Sequence, residues 1–320
     1  MKEINMKTKS EPSKPGCSAV KKPRFMKSFR SNNLISGYLF ISPFILGFII
    51  FTFVPFIYSF YLAFTNYNIL SPAKWVGLDN FKKMFDDPFF WTSFKVTVKF
   101  AAVQVPLKLT VSFLVALLLS KTTSFTGVYR TSFYIPSVVG SSVAIAMTWK
   151  QLWGNSGAIN SILSFFGIPP VKWLANVKTA LYVLVLLGVW QFGSSMLIFL
   201  AGIKEVPRSF HEAAIVDGAG PVTRFFKITL PLMTPCIFFN LVNGIIGSLQ
   251  AFNSSYLITA GTPLNSTLYY SLYLYYQAFN YRKMGYASAM AWFMFIIIVA
   301  LTALVFKSSS AWVYYQDEGK

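Results

Sequence analysis

Charge is scarce in this sequence of 320 residues: 12% are Asp, Glu, Lys or Arg, only ten of them acidic, and there is one histidine. Soluble domains carry about 25% charged residues, so a soluble enzyme is excluded. The two cysteines, Cys17 and Cys236, are far apart with no CxxC spacing or second ligand beside either, so no zinc site or disulfide framework is indicated. No paired carboxylates, nucleophile–base pair or metal cluster supports a membrane-bound enzyme. No GxxxxGK[ST] run occurs, so the chain cannot hydrolyse ATP on the usual phosphate loop. Hydrophobic residues, in contrast, make up 55% and aromatics 18%. At about 20 apolar residues per span, the chain has room for six membrane helices.

Charge-free stretches place them at about 34–64, 131–150, 179–203, 231–252 and 284–306. A sixth span is read at 96–120, where Lys99 and Lys108 interrupt an otherwise apolar run. The segment 265–281 is polar and rich in tyrosine, which suits a membrane interface. These limits divide the chain into a basic arm (1–33), a six-span domain (34–307) and a tail (308–320). The arm, rich in Lys, Ser and Pro, is too poor in apolar residues to fold alone.

Alternate sides of the spans carry seventeen and nine Lys plus Arg, with Lys99 and Lys108 inside a span. The positive-inside rule puts the richer side, with both termini and the 204–230 loop, in the cytoplasm of a multi-pass protein. The net charge of +18 is mostly this asymmetry. Nucleic-acid binding is not indicated, because the arm has no folded module and no aromatic interleaving.

The 204–230 loop has the cues of two short helices around a glycine. Pro207 suits a first helical turn, and Gly218 supplies a left-handed residue that ends a helix. Between them Phe210, Ala213, Ala214 and Asp217 fall at i, i+3, i+4 and i+7 on one narrow face. On the residues alone, this helix serves equally to lie against the chain's own bundle or to receive another protein.

Glu212-Ala213-Ala214, three residues, Gly218, nine residues, then Ile228-x-Leu230-Pro231 resembles the complete EAA loop of permease subunits of bacterial ABC importers. The stretch 198–235 resembles their carbohydrate branch, of the maltose and multiple-sugar type. Further landmarks lie at 42–67, 76–85, 105–119, 129–139 and 284–292. His211 and Lys108 depart from the pattern, where a tyrosine or acid and a glutamine are more usual.

The resemblance implies an all-α polytopic fold, the six-span type I importer permease with a cytoplasmic EAA coupling helix, in a bacterial cell membrane. It also implies that Phe210, Glu212, Ala213, Ala214, Asp217 and Gly218 couple the chain to a cytoplasmic ATPase. The chain is then no enzyme. It has no cofactor of its own, and ATP and Mg bind the partner ATPase. Two such ATPases, a second permease subunit, an external solute-binding protein and a carbohydrate, an oligosaccharide in the leading reading, complete the partners.

No Asp or Glu lies within a span, which speaks against a proton- or sodium-coupled carrier. Hydroxyls and amides in the third, fourth and fifth spans offer both donors and acceptors, as a neutral polyol requires. Counting from the family's motifs puts Ser137, Ser141, Gln191, Ser248 and Gln250 or Ala251 at the cavity; Asn243 is a turn farther in, and Asn253 closes the group. Trp149, Trp190 and Phe252 are candidates to stack on sugar faces. Lys108, about 13 Å deeper than Lys99 at 1.5 Å per residue, would favour glycerol-phosphate or another modified sugar if it lines the cavity. A stand-alone channel or secondary carrier is the alternative of another class.

Overall fold

The computed structural model describes residues 33–120 and 126–314. Cys17 and all of the arm but residue 33 lie outside the described residues, as do the last six residues of the tail. The described residues are helical with no named strand, and one isolated bridge joins Thr65 to Trp75. By its internal contacts the chain divides after Tyr58, and the packing described below belongs to the unit that begins at Ser59.

Among the described residues, three helices are long and apolar enough to cross a membrane unbroken: α1 (Gly37–Ala63), and two that lie farther along the chain. After α1 come the short α2 (Asp79–Asp86) and the second long helix, α3 (Pro88–Ser120). Three bent pairs follow in place of single spans. α4 (Thr126–Val139) and α5 (Val143–Leu152) meet at 99°. After the short α6 (Ala158–Phe165), α7 (Ala180–Trp190) and α8 (Gly193–Glu205) meet at 45°. The exposed α9 (Arg208–Val216) leads to α10 (Pro221–Leu232) and α11 (Thr234–Leu249), which meet at 60°. The short α12 (Tyr270–Tyr275) precedes the third long helix, α13 (Met284–Ser309).

Local chemistry accounts for the interruptions. A proline ring collides with the carbonyl four residues back and has no N–H to give. A wider π turn lies there before Pro55, at Ile49–Phe53, and before Pro231, at Phe225–Thr229. α4 ends where the Gly140 N–H bonds to the Pro136 carbonyl (2.9 Å). Ser142 then caps α5, its Oγ accepting from the Ile145 N–H at 3.3 Å. The stretch read as one span at 131–150 is therefore two helices, because Pro136, Gly140 and Ser142 together stop one and start the next.

Two further readings change. The helix that holds the span read at 96–120 starts earlier, at Pro88, since Asp87 accepts from the Phe89 N–H (2.9 Å) and proline suits the first turn. The 265–281 segment is not a surface band: Leu268, Tyr269, Tyr270 and Leu272 are buried. Tyr269 packs on Phe100 with ring centroids 4.7 Å apart, and Tyr270 on Phe90 at 5.7 Å. Tyr270 has partners inside, its hydroxyl donating to the Met290 carbonyl (2.8 Å) and its N–H to Thr97 Oγ1 (2.8 Å).

Apolar packing forms two clusters along α3. One gathers Met84, Phe90 and Phe100 with Leu181, Leu184 and the buried tyrosines; the other gathers Ala116 and Leu119 with Met196, Phe199, Leu200 and Met233. The stretch of α3 between them, near residues 104–109, borders the cavity described below.

Asp87 fastens the first cluster. Its carboxylate accepts the Tyr273 hydroxyl and the Tyr286 hydroxyl (2.8 Å), while Gln277 donates to the Tyr273 oxygen at 2.6 Å. Burial, then the Asp87 carboxylate, pushes the Tyr273 phenol above its ordinary pKa, so it stays a donor. Asp87→Ala should unpair two largely buried hydroxyls, each at a cost of about 1–3 kcal/mol. It should lower the melting temperature of the purified protein by several degrees. Lys83→Ala, which removes an exposed ion pair with Asp79 (2.6 Å), should leave melting unchanged. Thermal unfolding in detergent followed by tryptophan fluorescence measures both.

Candidate functional site: a polar cavity and an exposed helix

Two of the helix interruptions meet at one cavity of about 640 Å³. α3 contributes Gln104 and Lys108, the α4–α5 corner Gly140, Ser141 and Ser142, and the α7–α8 corner Gln191, Ser194 and Ser195. α11 and the turn after it contribute Asn240, Asn243, Ser248, Gln250, Asn253 and Ser254, with Phe239, Phe252 and Leu257 among the apolar lining. The volume lies within the roughly 300–1,000 Å³ of pockets that enclose a drug-sized ligand.

Gln191 ties two corners together: its Nε2 donates to the Gly140 carbonyl across 3.0 Å. This approach requires glycine, because a Cβ at 140 would lie 2.5 Å from Cγ and Cδ of Gln191. Gly188 admits Gln104 in the same way, with Nε2 at 2.6 Å from a notional Cβ. Asn243 and Asn240 each donate an N–H to their own helix, to the Phe239 carbonyl (2.8 Å) and the Cys236 carbonyl (3.0 Å). Each keeps an amide oxygen as a further acceptor.

Of the residues read from sequence, Ser141, Gln191, Asn243, Ser248, Gln250 and Asn253 border this cavity. Ser137 does not. Its Oγ accepts the Ser194 N–H (3.1 Å) at the start of α8, so it supports the corner from behind. Trp149 and Trp190 also stay out, packed on each other at a tilt with ring centroids 5.9 Å apart and the Trp149 indole donating to the Val183 carbonyl (3.1 Å). Of the three aromatics only Phe252 borders the space. Lys99 stands over the Tyr182 ring, 5.5 Å from its centre. Gln104 was missed; its signal is its position one turn before Lys108 on α3, a span whose polar groups were weighed only as charges.

A second feature lies on the loop between α8 and α10. No residue of α9 is buried, and Phe210, Glu212, Ala213 and Asp217 are exposed, with Ala214 partly covered. The chain does not fold this helix against its own bundle. Gly218 closes it at φ +76° with the Gly218 N–H on the Ile215 carbonyl (3.0 Å) and the Ala219 N–H on the Ala214 carbonyl (2.8 Å). This is the paired bonding of a Schellman end. Gly220 and Pro221 then start α10.

An all-helical membrane protein with bent spans around a polar cavity and an exposed helix between two spans has the architecture of an importer permease. The chain matches the family described as binding-protein-dependent transport system inner membrane component over residues 108–317. It is 51% identical over 307 residues to the "Probable ABC transporter permease protein YesP" of Bacillus subtilis (strain 168), covering 95% of this chain and 98% of that one. It is 31% identical to the lactose transport system permease protein LacF of Rhizobium radiobacter, covering 86% and 94%. Its fold is similar to a chain in the crystal structure of a bacterial alginate ABC transporter in complex with an alginate pentasaccharide-bound periplasmic protein. There the TM-score is 0.77 at 23% identity, over 89% of this chain and 97% of that one. The chain belongs to the family of binding-protein-dependent transport system inner membrane components, and it is a transport subunit of the membrane rather than an enzyme.

Gln191 and Gln250 separate two roles. Gln191→Leu should lower both transport and melting temperature, because it leaves the Gly140 carbonyl without its donor. Gln250→Leu, at a cavity position whose side chain holds no backbone group in place, should lower transport with melting unchanged. Uptake into vesicles and thermal unfolding, measured on the same preparations, check the pair.

Proposed function

We propose that this chain is the carbohydrate-translocating permease of an ATP-driven importer, and that the cavity lined by amides and hydroxyls carries this reading. Fifteen of its 28 described bordering residues cannot hydrogen-bond through their side chains, and twelve of the other thirteen are neutral Ser, Asn or Gln. Neutral groups that both donate and accept match the hydroxyls of a sugar. The lactose relative supports the class of cargo. Ser141, Gln191, Asn243, Ser248, Gln250 and Asn253 contact the sugar, and Ser137 positions Gln191's corner.

The remaining parts of the machine follow from the exposed helix. α9 docks in a cleft of a cytoplasmic ATPase through Phe210, Glu212, Ala213, Ala214 and Asp217, with Gly218 setting its angle. Two such ATPases bind ATP and Mg, a second permease subunit completes the membrane part, and an external solute-binding protein delivers the sugar. Both termini and α9 are cytoplasmic, in keeping with the seventeen basic residues on that side.

Two measurements test this. In a background with Cys17 and Cys236 replaced by serine, cysteines at the exposed positions Val216 and Val222 should label only from the cytoplasm. Those at Phe165 and Leu264 should label only from outside. External labelling at Val216 would overturn the topology. Gly218→Val places a β-branched residue at a positive φ that such residues tolerate poorly. With Ala213→Trp, it should uncouple ATP hydrolysis from uptake or release the ATPase from membranes. Wild-type uptake with full ATPase retention in both variants would make the loop a mere connector.

A further inference from the structure

Among the described residues, Lys108 is the one charged side chain that borders the cavity. It sits in the middle of α3, between two apolar clusters, and among the described residues its ammonium makes no hydrogen bond and no ion pair. Lys99, nine residues earlier on the same helix, has a ring to stand on. A charge held at membrane depth without a partner is costly, and intramembrane charges of this kind face a pathway or a counter-ion. No Asp or Glu borders the cavity to serve as that counter-ion. Gln104 is one turn away on the same face of α3 and borders the same space.

From this we infer that the carbohydrate imported through this chain is acidic, a uronate-containing short oligosaccharide whose carboxylate meets Lys108 while its hydroxyls meet the neutral amides. The inference rests on the carbohydrate reading above and names the class of sugar. Charge balance favours a carboxylate over a phosphate ester. A phosphate carries close to two negative charges and is usually held by several cations or backbone N–H groups. This cavity offers one ammonium and no arginine.

The alternative, that Lys108 pairs with an acid on the second permease subunit, makes an opposite prediction. The complete complex with its binding protein, reconstituted in vesicles, is assayed with uronate-containing di- and trisaccharides, their methyl esters, maltose and glucose 6-phosphate. The methyl ester keeps the sugar and removes the charge. Wild type should take up an acidic sugar at least tenfold better than its ester. Lys108→Met should cut that preference by about tenfold or more, the worth of a charge-assisted hydrogen bond. Lys108→Arg should keep most of it.

The binding protein is the same throughout, so a change in the ratio belongs to Lys108. Equal losses for acid and ester in Lys108→Met would mean a structural partner and would overturn the inference. If the Met variant fails to assemble, a wild type that takes up maltose or the esters as well as the acids overturns it alone. Uptake of glucose 6-phosphate with the same Lys108 dependence would overturn the choice of carboxylate. A wild type that takes up none of these sugars would instead overturn the carbohydrate reading, and this one with it.

Discussion

The hydrogen bond from Gln191 to the Gly140 carbonyl, 3.0 Å long, joins two interrupted helices, and the cavity depends on it. Hydrocarbon offers no partner to a free carbonyl, so a helix can break at membrane depth only where something else satisfies the backbone or where water reaches it. Here the side chain at one break serves the backbone at the other. Ser137 does the same for the Ser194 N–H in the first turn of α8. Gly140 and Gly193 lack the Cβ that would meet Gln191 and the Phe133 carbonyl at 2.5 and 2.4 Å. The corners can therefore come close enough to bond. Small residues at such contacts are how membrane helices pack when burial of apolar area gives no net drive.

Chain continuity links this corner to the exposed helix. α8 begins at the Gln191 break and ends three residues before α9, and α10 starts five residues after α9 ends and runs on to α11. Both neighbours of α9 in sequence thus carry cavity residues, Ser194 and Ser195 on one side and Asn240 to Ser248 on the other. Met196, Phe199, Leu200 and Met233 clamp both to Ala116 and Leu119 of α3. Cys236 lies 2.5 Å from where a Cβ of Gly202 would be, so α8 and α11 are in direct contact. α9 is thus joined at both ends to helices that carry cavity residues and share one apolar cluster.

What could be read from sequence divides along physical lines. The all-helical membrane class was legible, because twenty-residue apolar runs are a solvent property that tertiary structure does not override. The Gly218 turn was legible as well, since a left-handed helix end needs glycine for local steric reasons. The corners were not. Gly140 and Gln191 each look ordinary in their own run, and the bond between them spans fifty-one residues. Tyr269 and Tyr270 misled in the opposite way. Tyrosine suits an interface by composition, but here Thr97 and the Met290 carbonyl supply partners that let Tyr270 be buried. Ser137 shows that counting from a motif locates a corner without telling which of its hydroxyls face the space and which hold the backbone.

The chemistry of the cavity also fits where the work is done. A carrier driven by an ion gradient must bind and release the ion at the site, which calls for titratable carboxylates or ion-coordinating groups among the spans. A chain moved from an exposed helix by another protein, as proposed for this one, needs no such group. Its site has only to hold the cargo weakly enough to let it go on when the helices shift. Amides and hydroxyls that exchange solute hydrogen bonds for water give small net energies, of about 0.5–1.5 kcal/mol each. A site built from them releases cargo once its corners separate, and the Gln191–Gly140 bond sets where those corners meet.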